Sequence, residues 1–152
     1  MNWFVLHTKP RFEKKVEERL LSFGIEAYCP TRKEIRIWSD RKKKVDVPVL
    51  PSMVLVRLEE KDVNDVFNIN GVIRYMFWLG KRAVVTQHEI GVLKNHLEGN
   101  KVLNQEIIKF NPGDKISIPG FNNENGVVDR ISNNTAWIFL ENLGCKIKLN
   151  LA

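Results

Sequence analysis

The chain is poor in the residues on which secreted domains, metal centres and most hydrolases are built. It has only two cysteines in 152 residues, Cys29 and Cys145, far apart and in no CxxC pair. That excludes a disulfide framework and a cysteine-rich zinc site, and fits reduced thiols in a cytoplasm. The three histidines, His7, His88 and His96, share no ligand spacing, so neither a metal nor another cofactor is expected. No apolar run approaches the roughly 20 residues of a membrane helix, so no membrane association is expected. The opening Met1–His7 has no basic n-region and no cleavage site, and does not read as a signal peptide. GxSxG, the P-loop and GxGxxG are all missing. Asp46, Asp62, Asp65 and the glutamates form no pair that suits acid–base work. The expectation is a cytoplasmic, monomeric protein that is not an enzyme.

What is present is a globular balance, 43% hydrophobic and 28% charged, in a length that suits one ordinary domain or two small ones. The net charge is +6 and unevenly spread. Residues 1–100 carry 18 Lys and Arg against 13 Asp and Glu, whereas residues 101–152 carry 6 against 5. A basic first part favours a polyanionic partner, although such an excess is also common on bystander surfaces.

The strongest strand signal is Val49-Leu50-Pro51-Ser52-Met53-Val54-Leu55-Val56-Arg57-Leu58. Val54, Val56 and Leu58 fall on one face at period two, and Met53 and Leu55 on the other. A strand apolar on both faces needs cover on both. Trp3–Leu6 reads as an opening strand. Pro10 suits a first helical turn, after which Phe12, Val16, Leu20 and Phe23 recur on one helical face until Gly24 ends the helix. Ile25–Pro30 reads as a strand. Lys33–Trp38 and Val45–Val49 alternate as a hairpin with a basic tip at Arg41, Lys42, Lys43 and Lys44. Glu59–Asn68 reads as a short helix, Asn70-Gly71 as a break and Val72–Trp78 as one strand. Thr86 with Glu89 is a capping box opening a last helix with Ile90, Leu93 and Leu97 on its apolar side.

The polar stretch 98–111 reads as a linker between residues 1–97 and 112–152. Beyond it the chain is broken every few residues, at Pro112-Gly113, Pro119-Gly120, Asn125-Gly126, Asn133-Asn134 and Leu143-Gly144. Between the breaks sit the short strands Lys115–Ile118, Val127–Ile131, Ala136–Leu140 and Lys146–Leu151. An all-β module of this size is a small barrel. The fold class expected is therefore α+β: an α/β sandwich with a mainly antiparallel sheet and flanking helices, then the barrel.

Two motifs carry a resemblance. Trp3-Phe4-Val5-Leu6, Lys9-x-Arg11-x-Glu13-Lys14-x-Val16, Gly24-Ile25-Glu26-Ala27-Tyr28-x-Pro30 and Leu50-Pro51-Ser52-Met53-Val54-Leu55-Val56 resemble the N-terminal domain of NusG-family transcription elongation factors. Pro112-Gly113-Asp114-Lys115-Ile116-x-Ile118 through Gly120-Phe121 to Gly126-Val127-Val128 resembles the KOW motif of the barrel that follows in that family. The short length and the first helix look most like the RfaH- and UpxY-type paralogues of polysaccharide operons. The resemblance implies a non-enzymatic elongation or antitermination factor. Its first domain would dock on the clamp helices of the largest RNA polymerase subunit, and its barrel on a second partner such as Rho or a small-subunit ribosomal protein.

Residue by residue, the resemblance places Leu50, Pro51, Met53, Leu55, Ile90, Leu93 and Leu97 on the polymerase-facing side, with Met53 and Leu55 where the family favours aromatics. An apolar patch of that kind marks a partner site. The plainer reading is that the last helix and the hairpin bury these side chains in an ordinary core. Lys9, Arg11, Lys14, Lys15 and Arg19, with Asn70 and Arg74, match a surface that touches the non-template DNA strand in RfaH-like relatives; a solvated helix face is the plainer reading. Arg41, Lys42, Lys43 and Lys44 match a hairpin that reaches upstream DNA, or form a solvated turn. A competing function is an RNA- or ribosome-binding KOW module that holds nascent RNA, against which the nearly neutral tail argues.

Overall fold

The computed structural model describes residues 1–37, 39–99, 102–109, 130–132, 135–140, 143 and 145–151. At its centre is β1 (Asn2–Thr8), flanked by β5 (Met53–Leu58) on one edge and by β6 (Val72–Tyr75) and β9 (Val84–Val85) on the other. β2 (Glu26–Tyr28) closes the far side of β5. Every pairing in this sheet is antiparallel, with Phe4 opposite Val56 and Val5 opposite Leu55. Trp3, Phe4, Val5 and Leu6 are all buried, so both faces of the central strand lie in apolar surroundings. Successive side chains alternate between the two, as strand geometry requires.

One face holds Phe4, Leu6, Val54, Val56 and Leu58. Its cover is α1 (Glu13–Ser22), through Val16 and Leu20, and a run of 3-10 turns at Glu60–Asn68, through Val63 and Val66. The helix begins at Glu13, about one turn later than Pro10 suggests: Pro10 sits in the preceding turn, and Arg11 takes a left-handed φ of 66°. Gly24 ends the helix at φ 82°, with Ile25 N–H donating to the Leu20 carbonyl at 3.0 Å and Gly24 N–H to Leu21 at 3.0 Å, the two bonds of a Schellman cap. Gly71 (φ 104°) lies against this helix, where a Cβ would stand 2.9 Å from Val16 Cγ2 and 3.0 Å from Phe12 Cδ1. The short helix read over Glu59–Asn68 is present at Glu60–Asn68 as 3-10 turns, whose period Val63 and Val66, three apart, suit. The single strand read over Val72–Trp78 divides at Met76 into β6 and β7 (Phe77–Trp78), which hairpins with β8 (Lys81–Arg82).

The other face holds Trp3, Val5 and Leu55. α2 (Gln87–Gly99) covers part of it with Ile90, Val92 and Leu93. Its N-terminus is the expected capping box: Glu89 N–H donates to Thr86 Oγ1 at 3.1 Å, and Thr86 N–H to Glu89 Oε1 at 2.8 Å. The remaining cover comes from a second antiparallel sheet, in the order β10 (Val102–Lys109), β13 (Cys145–Leu151), β12 (Thr135–Leu140), β11 (Arg130–Ser132). Cys145, Ile147 and Leu149 alternate inward along β13 and join the same apolar cluster as Leu55.

The stretch 98–111, read as a linker, holds the end of α2 and a strand, β10. α2 runs to Gly99, and β10 pairs along the length of β13, placing Ile107 opposite Ile147. Asn104, Gln105 and Glu106 interrupt its apolar members in the sequence. Lys115–Ile118, Phe121 and the KOW-like stretch 112–128 lie outside the described residues, and Val127–Ile131 is described only from Arg130. Trp137 is half-buried and Phe139 buried.

β3 (Thr31–Ile37) and β4 (Lys42–Pro48) form the basic hairpin. Its pairing runs on to Ile37 opposite Lys42, so Lys42, Lys43 and Lys44 are strand residues and only Arg41 belongs to the tip. The hairpin base meets β10 through Arg32, which donates to the Leu103 carbonyl at 3.1 Å and to the Gln105 side chain.

Candidate functional site

Two surfaces carry the expected functional residues. The first is the apolar second face of the sheet. β5 places Met53 and Leu55 on it because its period-two pattern turns Val54 and Val56 the other way. A tight turn precedes the strand, with Ser52 left-handed at φ 61° and Met53 N–H bonded to the Leu50 carbonyl at 3.2 Å. The buried Glu13 carboxylate holds this turn by accepting from Ser52 N–H at 3.2 Å. This link between α1 and the turn before β5 gives the sequence no signal, because Glu13 and Ser52 are 39 residues apart.

The structure does bring the expected docking residues onto one face, but it does not leave them open. Leu55, Ile90 and Leu93 are 0% exposed and Leu50 is 1% exposed. Met53 and Leu97 are half-buried, and Pro51 is exposed. An open patch is therefore not what this conformation presents. The physical reason is the apolar inward face of the tail strands, which meets the same surface. Between the layers lies a cavity of about 420 Å³, lined on the sheet side by Leu50, Pro51, Met53 and Met76 and on the tail side by Ile107, Leu143 and Cys145. The packing here is incomplete, unlike that around Val54 and Val56, which are 0% exposed beneath α1.

The second surface is basic and centres on the N-terminus of α1. Arg19 Nη1 donates to the Asn70 carbonyl at 2.7 Å, and Lys9 N–H to the Gly71 carbonyl at 2.9 Å. These bonds tie the helix, the end of β1 and the 70–71 turn into one unit. Lys9 and Lys15 lie 5.9 Å and 5.2 Å from the Phe12 ring centroid, within cation–π range. Lys9, Lys15, Arg19 and Asn70 are thus together, and the exposed Arg74 stands opposite His7 on neighbouring β6. Lys14 bonds Glu17 at 2.9 Å, one residue nearer than the Glu18 partner that i,i+4 spacing suggests. Hydrogen bonding to Glu17 holds the Lys14 ammonium above its ordinary pKa, so it stays charged. The exposed hairpin residues Arg41, Lys42, Lys43 and Lys44 form a separate basic strip.

Among the described residues no group of three or more His, Cys, Asp or Glu is placed to hold a metal, and no helix is long and apolar enough to cross a membrane. Cys29 and Cys145 are buried free thiols. Burial, with the negative charge of Glu17 next, pushes the Cys29 thiol up to about 12, which makes it a poor nucleophile.

The described residues thus form a mostly antiparallel sheet flanked by short helices, with an apolar second face and a basic helix end. Residues 1–94 match the family model described as "Transcription termination factor nusG". The chain belongs to the NusG family, whose members are transcription factors that interact with RNA polymerase. Among solved structures it is similar to "Domain interaction in Thermotoga maritima NusG", at 14% identity and a TM-score of 0.48, over 98% of this chain and 93% of that chain. Comparison with curated proteins returns no match.

Proposed function

We propose that the protein is a transcription elongation or antitermination factor that docks on the RNA polymerase clamp helices through Leu50, Pro51, Met53, Leu55, Ile90, Leu93 and Leu97. Pausing or termination would be suppressed at particular operons, of the polysaccharide type served by RfaH- and UpxY-like paralogues. Residues 1–97 would form the polymerase-binding unit and residues 112–152 a KOW barrel with a partner such as Rho or a small-subunit ribosomal protein. Lys9, Arg11, Lys14, Lys15, Arg19, Asn70 and Arg74, with the hairpin cations, would lie along nucleic acid.

The observation that carries this reading is the second face of the sheet. It is apolar across β1, β5 and α2, and its remaining cover is a separate sheet packed over a cavity. Docking on polymerase therefore requires the tail strands to leave. Capture of RNA polymerase by the full chain tests the proposal. Met53→Glu puts a charge at the half-buried centre of the face, without entering the 0%-exposed core. The expected result is loss of capture by a variant that keeps its circular dichroism spectrum and cooperative melt. Capture by that folded variant at the level of the unmodified chain would sink the assignment of this face.

A further inference from the structure

A cavity of about 450 Å³ lies between the start of α1 and the basic hairpin, away from the apolar docking face. Its walls include Arg11, Lys14 and Arg36 as cations, Val47 and Pro48 as an apolar surface, and Glu13. Glu13 is only 5% exposed. Its Oε2 is used by Ser52 N–H, while its Oε1 is buried with no hydrogen-bond partner among the described residues. A buried carboxylate oxygen left unpaired is costly, and asks for a donor that arrives with a ligand. The other acid in the wall, Asp46, is already paired with Lys33.

We infer that this pocket takes a nucleoside phosphate whose base carries an exocyclic amino group. The phosphate sits against Arg11 and Arg36, groups that suit it by charge and by fork geometry. Lys14 adds a point charge already held in place by Glu17. The base lies along Val47 and Pro48. Its amino group donates to Glu13 Oε1, the pairing by which Glu or Asp reads the cytosine N4 amine. A bare anion would leave Oε1 unpaired, and a bare amine would make no use of Arg11, or of Arg36 beyond its 3.6 Å ion pair with Glu34. The volume is within the roughly 300–1,000 Å³ of small-molecule sites. The inference shares Arg11 and Lys14 with the nucleic-acid part of the reading above and rests on it to that extent, but polymerase docking does not enter it.

The test is calorimetric titration of the full chain, without polymerase, with cytidine 5′-monophosphate, uridine 5′-monophosphate and inorganic phosphate. The two nucleotides present opposite patterns on one edge of the base, an amine at position 4 beside an N3 acceptor in cytosine and a carbonyl oxygen at position 4 beside an N3–H donor in uracil. Cytidine monophosphate is expected to bind about fivefold to twentyfold tighter than uridine monophosphate, at the low end of base discrimination by a hydrogen-bonding side chain. Glu13→Gln separates this from a purely structural role. The amide oxygen can keep Ser52 N–H, which leaves an N–H donor where Oε1 stood, so the preference should invert toward uridine. Arg36→Ala, at a side chain 57% exposed and therefore safe for folding, should weaken both nucleotides equally. Equal binding of the two nucleotides, binding no better than inorganic phosphate, or no binding at all overturns the inference. An oligo-dC strand binding tighter than the monophosphate identifies a strand as the source of the nucleotide, and equal affinity identifies the free nucleotide.

Discussion

Leu143→Ala should make the full chain bind RNA polymerase more tightly. Leu143 is 4% exposed, joins the apolar cluster that includes Leu55, and lines the cavity opposite Leu50 and Met53. It belongs to the cover and not to the docking face. Truncating a buried leucine costs about 2–5 kcal/mol, and the neighbouring cavity, which already denies it some contacts, argues for the lower end. The cost falls on the closed arrangement, because Leu143 leaves the face when the tail leaves. At about 1.4 kcal/mol per factor of ten, a loss of about 2 kcal/mol multiplies the open fraction roughly 30-fold. Apparent affinity scales with the binding-competent fraction, so the dissociation constant for polymerase should fall by up to that factor, and by less once the open form predominates. Interferometry with immobilised polymerase reads it directly. Leu20→Ala, on α1 over the opposite face, is the control: it too is a buried leucine, 0% exposed, but it packs in the other apolar cluster. Affinity unchanged or weakened by Leu143→Ala, or raised as much by Leu20→Ala, would refute the argument.

Gly71→Ala should lower the melting temperature by several degrees, since the new methyl meets Val16 and Phe12 within 3.0 Å at a φ of 104° that alanine resists; differential scanning calorimetry checks this, and an unchanged transition would show that the helix shifts freely. Stability should also fall on the alkaline side. Burial raises Cys29 from its ordinary 9.0 to about 12 and Tyr75 from 10.0 to about 12, and raises Tyr28 further. These groups stay protonated in the fold while the unfolded chain ionises, so their stabilising effect is intact below about pH 9 and is lost progressively as pH rises toward 12. Urea midpoints that hold flat from pH 9 to pH 11 would contradict it. Binding to single-stranded nucleic acid should weaken steeply with salt: phosphate contacts by Lys9, Lys15 and Arg19 imply a log–log slope near about −2, or a roughly 20-fold loss between 50 and 200 mM salt. A slope near zero in a filter-binding series would remove these three from the contact.

Much of the first sheet could be read from residue order. β5 was plain because Val54, Val56 and Leu58 alternate with Met53 and Leu55. The α2 terminus was plain because Thr86 and Glu89 are a reciprocal pair three residues apart. Both are local signals. What escaped depends on contacts between distant parts of the chain. The pattern states that the second face of β5 needs cover, but no period in the sequence says that Ile147 and Leu149 supply it. β10 was hidden because its paired strand, not its own composition, makes it a strand. The use of Glu13 was not legible, since it depends on Ser52, 39 residues away. The cations around Phe12 were legible as a group. Their division between the Asn70 side and the hairpin cavity was not, because Lys14 and Lys15 are adjacent in sequence and serve different surfaces.

The two faces of β5 then differ in kind as well as in cover. Beneath α1 the contacts are fully buried, and the helix is tied to the sheet on both sides, by Glu13 to Ser52 and by Arg19 to Asn70. That face is made for permanence. On the other face the cover comes from a separate sheet, with a cavity along the join and two methionines, Met53 and Met76, lining it. Methionine adapts to changed surroundings at little cost, which suits the proposed exchange of the tail for a polymerase surface. A sheet apolar on both sides cannot stand open in water at rest, so a partner gains only the difference between its own contacts and those of the tail it displaces. Incomplete packing at that join keeps the difference within reach of a partner, whereas a well-filled join would make the tail part of the permanent core.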